Sequence, residues 1–292
     1  MRIMLGVWLA LGFSSASFGQ GATQTHSYMG RAVIKHSEEI GTLNANDPRP
    51  LFQAINALNE EYGWCVNYED PPYSEFDMYD SSLPDWRASH PNARGARTLN
   101  GGGFHSEFPE PAFLAASDGM GSDFIGKVLQ KLVSDYNASG NPGQFTVRKD
   151  TDGRYDVIGV SSKNSLGQNQ ATVAILDTPI SLPNDERDAI PTFDTILAVL
   201  SKVDGVKVWM SGGLMMTLNP LTGRRLTIGG SNVPARTLLY DAFQQANNHL
   251  AFKWSLMFDP DEMDYILAPT IAARWGRDMF GETTLNPIRA CP

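Results

Sequence analysis

Apolar positions along the chain follow two periods, 3.6 and 2, in a repeating order, and the clearest instance runs from Arg225 to Leu267. Leu226-Thr227-Ile228 is a short β-type run closed by Gly229-Gly230. Ser231 and Asn232 are good N-cap residues, and Pro234 suits a first helical turn, where its missing N–H costs nothing. Ala235, Leu238, Leu239, Ala242, Phe243 and Ala246 then make one stripe of an amphipathic helix, which Asn247-Asn248 can end. Phe252, Trp254, Leu256 and Phe258 alternate with more polar neighbours, as a half-buried strand requires. Asp259-Pro260-Asp261-Glu262 turns the chain, and Tyr265-Ile266-Leu267 returns as a partner strand. The predicted unit is β-α-β-β, one helix on a small sheet.

The helix–strand core of this unit recurs upstream. Leu51, Ala54, Ile55 and Leu58 form a stripe ended by Gly63, and Trp64, Val66 and Tyr68 alternate up to the stop at Glu69-Asp70-Pro71-Pro72. Phe124, Ile125, Val128, Leu129, Leu132 and Val133 form the cleanest stripe, ahead of a hairpin turning on Asp150-Thr151-Asp152-Gly153. Phe193, Ile196, Leu197, Val199 and Leu200 form another, closed by Gly205 and followed by the strand Val206–Met210. The expectation is α+β throughout, with a first unit over 20–70, a second over 118–165, two packed units over 166–270 and a tail over 271–292. Residues 26–39 suggest a short helix. Residues 71–117 hold six prolines, Gly101-Gly102-Gly103 and aromatics without a period, and read as an irregular insertion too aromatic for a disordered linker.

The first 19 residues differ in kind. Arg2 precedes an apolar run, Ile3–Phe13, too short to cross a bilayer, and Ser17-Phe18-Gly19 matches a cleavage site. A secretory signal peptide cut after Gly19 is expected, which places the mature chain in the periplasm or outside the cell, with no membrane span of its own. With 23 basic against 32 acidic residues and a net charge of −9, nucleic acid and anionic membrane are poor partners. Only Cys65 and Cys291 are present, so the fold must rest on apolar cores; the two thiols either pair or stay separate.

The segments TILAVLSKVDGVKVWM and LTIGGSNVPARTLLYDAFQQA, within Thr192–Leu267, resemble the secretin and TonB short N-terminal domain. That resemblance implies a small periplasmic α+β module in which strand, helix and hairpin repeat. RPLFQAINALNEEYGWCVNYEDP is similar to a lone half of the same module. The arrangement also resembles secreted proteins of Gram-negative bacteria that carry YGW-V-x-YEDP early and LxWxLxYDP late. No barrel or pore region follows the module, so the resemblance does not extend to transport.

Candidate chemistry is sparse. The five histidines show neither an i, i+4 metal pair nor HExxH, and no GxSxG, GxxxxGK[ST] or GxGxxG context occurs, so no cofactor or metal is expected. The nearest approach to a catalytic site is GGGFHSEF, with His105 and Glu107. Trp86 and Trp275 lie outside the predicted strands and are candidate contact residues, and Tyr265 and Leu267 stand on the predicted edge strand. The leading expectation is a non-enzymatic binding or assembly module that captures a protein or envelope component by adding a strand to that edge. The alternatives are an envelope hydrolase using the 71–117 insertion and a structural envelope component.

Overall fold

Proline and glycine punctuate the helices where the sequence places them. The computed structural model describes residues 32–37, 40–46, 48–109, 122–150, 152–211, 221–246, 250–277, 283–288 and 291; the expected leader lies outside them. Helix α1 (Pro50–Tyr62) opens on its proline and ends at Gly63 with φ 69°. Two further helices, α2 (Pro84–Ser89) and α3 (Ser122–Ala138), precede α4 (Ala189–Asp204), which stops at Gly205 with φ 80°. The last of the five helices among the described residues is α5 (Ala235–Ala246). The left-handed conformation at both glycines lets the chain leave the helix without a Cβ clash.

Strands β1 (Val33–His36), β2 (Ile40–Ala45) and β3 (Asn67–Glu69) flank the first helix. The short β4 (Met78–Asp80) and β5 (Arg97–Leu99) follow, then β6 (Phe104–Pro109), β7 (Gln144–Lys149), β8 (Tyr155–Lys163) and β9 (Asn169–Ala171). The second half holds β10 (Pro179–Asp188), β11 (Val208–Met210), β12 (Arg225–Pro234), β13 (Phe252–Asp259) and β14 (Asp264–Ile271). A terminal hairpin, β15 (Ala273–Arg277) and β16 (Thr283–Pro287), closes the chain.

The pairings in the two halves follow one scheme. In the first, β2 pairs antiparallel with β6, while β3 runs parallel to β8 and β8 antiparallel to β7. In the second, β10 pairs antiparallel with β12, while β11 runs parallel to β14 and β14 antiparallel to β13. A parallel contact between β13 and β3 fuses the two sheets into the order β11-β14-β13-β3-β8-β7, with β9 beside β8. Helices of the two halves lie on opposite faces. Tyr68 of β3 joins the core of α1 and α3, while its neighbours Asn67 and Glu69 bond Tyr240 and Arg236 of α5. On β13, Trp254 packs on Tyr240 of α5, and Lys253 reaches Asn56 of α1.

Several expectations change. Residues 26–39 do not read as a helix where they are described, because 33–36 is a strand paired with β2. The stretch expected as an irregular insertion holds β4, α2 and β5, and β6 within it pairs with β2, so the insertion ends at Gly103; β3 with β8 places the first and second units in one sheet. β10 was missed because its outward residues Asn184, Asp185, Glu186 and Arg187 sit on a thin two-stranded ribbon with two register breaks, which leaves no clean alternation. β12 correspondingly runs to Pro234, past the expected cap, and Gly229 is required there, since a Cβ would collide with the Asn184 backbone.

The terminal hairpin folds back onto the first half. Arg274 donates to the Glu61 carbonyl at the end of α1, and Cys291 is disulfide-bonded to Cys65, 226 residues away, with a Cα–Cα separation of 5.5 Å. Closing so long a loop restricts the unfolded chain, so reduction, or paired Cys→Ala replacement, is expected to lower stability by roughly 2–5 kcal/mol, measured by denaturant titration with and without reductant. An unchanged midpoint would show the bond to be energetically idle.

Lys253 gives a pH-dependent test of the layering. Burial under α1 holds its amine down at about 8, with Glu60 opposing weakly. The unfolded chain keeps that proton to about 10.4. Burying the charge therefore costs stability in full at pH 7, and the cost fades as pH climbs from 8 past 10. Lys253→Met should raise stability at pH 7 by roughly 1–3 kcal/mol and by little at pH 10.5, read from denaturation midpoints.

Candidate functional site

Two places concentrate polar chemistry: a buried seam between the halves and a pair of clefts on the inserted arm. The seam is built on the Tyr68-Glu69-Asp70-Pro71 run. Only Ser255↔Tyr68 and Leu256↔Glu69 pair in the β3–β13 ladder. Side chains extend it at both ends: Trp254 N–H donates to Asn67 Oδ1 at 2.8 Å, and Phe258 N–H to Asp70 Oδ2 at 3.0 Å. Arg236 of α5 then enters from the second half. It contacts the Glu69 carboxylate, lies 3.4 Å from Asp156 Oδ2, and donates to Asp177 Oδ1 at 2.9 Å. Tyr240 donates to Asp156, and Asn67 Nδ2 to Asp156 Oδ1 at 2.9 Å. At the other end Arg49 Nε donates to Asp70 Oδ2 at 3.0 Å, while Tyr68 and Tyr73 hydroxyls both donate to Asp70 Oδ1.

Burial displaces the titration of these groups. It raises Glu69 above the ordinary carboxylate range, although Arg236 opposes it. It likewise raises Tyr240, with Asp156 adding to the effect. Burial alone would lower Arg236, but Glu69, Asp156 and Asp177 together raise it, so the guanidinium stays charged. Displaced titrations also mark catalytic sites, yet this cluster lines neither of the two clefts described below, and each displaced group has an explicit partner. Its chemistry is that of an internal clamp.

The clefts belong to the arm inserted between β3 and β6. The arm is a two-stranded ribbon, β4 and β5, with α2 between, tied down by buried Asp77, whose carboxylate accepts from Ser74 N–H and Lys163 N–H at 3.1 Å each. It rests on the β13–β14 turn: Arg97 N–H donates to Asp261 Oδ1 at 2.7 Å, and Arg94 Nη2 to the Pro260 carbonyl at 3.2 Å. One cleft, about 350 Å³, is lined by arginines 87, 94 and 97 with Glu75 and Asp80. The other, about 570 Å³, is lined by Leu83, Trp86, Arg94, Asp261 and Glu262 among others. Phe76, Tyr79, Leu83 and Trp86 of this arm are four of the ten large apolar side chains that stand exposed among the described residues, Leu83 at 74%.

The structure separates the sequence candidates. Trp86 borders the larger cleft, stacked on His90 at 4.9 Å. His105 and Glu107 stand side by side on β6, 3.8 Å apart and exposed, on the open face of the β1-β2-β6 sheet, and neither lines either of these two clefts. Tyr265 and Leu267 do not form an edge. β11 pairs with β14 on the side expected to be free, and both side chains are buried, so the backbone groups meant for a partner strand are already bonded. β11 follows α4 by only three residues, Gly205 to Lys207, and its parallel pairing to a strand far along the chain has no local sequence signal. Trp275 lies on β15, with its side chain outside the described ones. Sequence reasoning missed Leu83 and Arg94, which lie in a stretch without periodicity, and Arg236, which stands off the apolar stripe of its helix. Among the described residues no cluster of His, Cys, Asp and Glu is arranged to hold a metal, and no helix is long and apolar enough to cross a membrane.

No protein-family model matches the chain, and neither curated proteins nor solved structures offer a similar one.

Arg236→Met would leave Glu69 and Asp156 buried without their cation, at an expected cost of about 3–5 kcal/mol at pH 7. Glu69, already raised by burial, would rise further; a carboxyl so raised stabilises the fold below its unfolded pKa and loses that contribution as pH climbs through the folded value. The deficit should therefore shrink between pH 7 and pH 5, and Glu69→Gln in the same chain should recover part of it. Equal deficits at both pH values would contradict the clamp.

Proposed function

We propose that the protein is an extracytoplasmic binding or assembly module, built from two copies of a unit of the secretin and TonB short N-terminal type, that captures its partner on the inserted arm between β3 and β6. The observation that carries this reading is a subtraction. When the pairing scheme of the second half is laid over the first, the arm with β4, α2 and β5 is left over between β3 and β6. That remainder carries both clefts and the densest run of exposed apolar side chains, whereas packing and turns account for the matched elements. Exposed aromatic and aliphatic residues around a cleft are the usual anchors of a protein interface. The export expectation from the first 19 residues and the Cys65–Cys291 bond fit an oxidising compartment. Capture through the cleft replaces strand addition at Tyr265–Leu267, whose edge is occupied.

The reading is tested with a photo-crosslinking amino acid at Leu83, and at Val203 of α4 as an exposed apolar control, in the exported protein. A discrete adduct from position 83, absent from 203 and reduced at least about tenfold by Trp86→Ala, is the expected result. Equal labelling from both positions, or none from 83, would remove the arm as the capture surface.

A further inference from the structure

The two clefts share Arg94 and Gly95 as a common wall. Gly95 keeps that wall thin, because a Cβ there would collide with the Arg87 guanidinium, Ser82 Oγ and the Asp80 carboxylate. On the smaller side the charges are already spent on one another: Arg87 is paired with Asp80, and Arg97 with Glu75. On the larger side they are not. Among the described residues the Glu262 carboxylate has no ion pair, Asp261 commits one oxygen to the Arg97 N–H, and Arg94 gives its bond to a carbonyl rather than to an acid. Two carboxylates against one guanidinium leave this rim with a surplus negative charge, beside the apolar surface of Leu83 and Trp86, on a chain whose net charge is −9.

Building on the proposed capture by the arm, we infer that the larger cleft takes an extended polypeptide segment bearing a large apolar side chain next to a lysine or arginine. The apolar group lies on Leu83 and Trp86, where it removes exposed surface from water. The cation meets Glu262 and the uncommitted oxygen of Asp261, a rim pairing that sets selectivity and on-rate more than total affinity. Phosphate-rich or polyanionic ligands are opposed by the same carboxylates. A volume of about 570 Å³ suits one side chain with its flanking backbone rather than a folded domain entering whole.

The probe is an array of twelve-residue peptides with a central Phe or Leu flanked by Lys, Gln or Glu, read against the full chain. The intact protein should prefer the Lys series by about threefold to tenfold, and less so as salt rises. Glu262→Lys should reverse the preference toward the Glu series, and Arg94→Ala should sharpen the original one. The two variants thus move the ratio in opposite directions, which a general loss of folding cannot do. If Trp86→Ala abolishes binding while neither charge variant moves the ratio, the capture surface stands and the basic-flank rule falls. If the intact chain binds none of the three series, the peptide inference is overturned, while the position-83 crosslink decides the arm separately.

Discussion

Arg236 is the group on which the architecture turns. It sits on the second half's helix yet is surrounded by the buried carboxylates of Glu69 on β3 and Asp156 on β8 and by the half-buried Asp177 of the connecting segment. A guanidinium removed from water is tolerable only when its donors are filled with good geometry, and the same holds for the carboxylates around it. Each partner therefore needs the others in place. The β3–β13 backbone ladder is too short to fix the register of the two halves, and Asn67, Asp70 and the two arginines supply what the ladder lacks. Pro71 then leaves the sheet against Gly159, where any Cβ would collide with the proline ring.

The same clamp explains why the halves join once. Counting from the helix-ending Gly63 and Gly205, Asn67 and Glu69 correspond to Trp209 and Ser211. Matching the buried stripes of α3 and α5 sets Arg236 and Tyr240 against Gly126 and Gln130. The outer strands β7 and β11 occupy the places that β13 and β3 hold at the joint, but neither carries a counterpart of the Glu69–Arg236 or Asp70–Arg49 pair. β7 ends in Arg148, which pairs with Asp177, and Lys149, and charge of this kind on an outer strand discourages further strand pairing.

With the sheet closed by pairing and its cores filled, recognition is left to an element that the scheme does not need. The inserted arm costs the core little, because it rests on the β13–β14 turn and on buried Asp77 rather than displacing any strand. Such surface segments can vary without disturbing the framework beneath, which is why binding so often resides in them.

The sequence by itself determined the four long helices, the glycine stops of α1 and α4, the principal hairpins and the α+β class, because each follows from local periodicity and from proline or glycine chemistry within a few residues; the short α2, in a stretch without periodicity, was not legible. It also singled out YEDP and Trp86 without saying what they touch. Only the tertiary structure decided that Glu69 and Asp70 each face an arginine, that β11 covers the Tyr265–Leu267 edge, and that β6 belongs to the first half. These facts depend on strand pairings and ion pairs between residues well separated in the chain, which leave no periodic trace. Arg236 shows the difference best: on a helical wheel it is a solvent-facing arginine, and only the neighbouring half of the fold makes that face an interior.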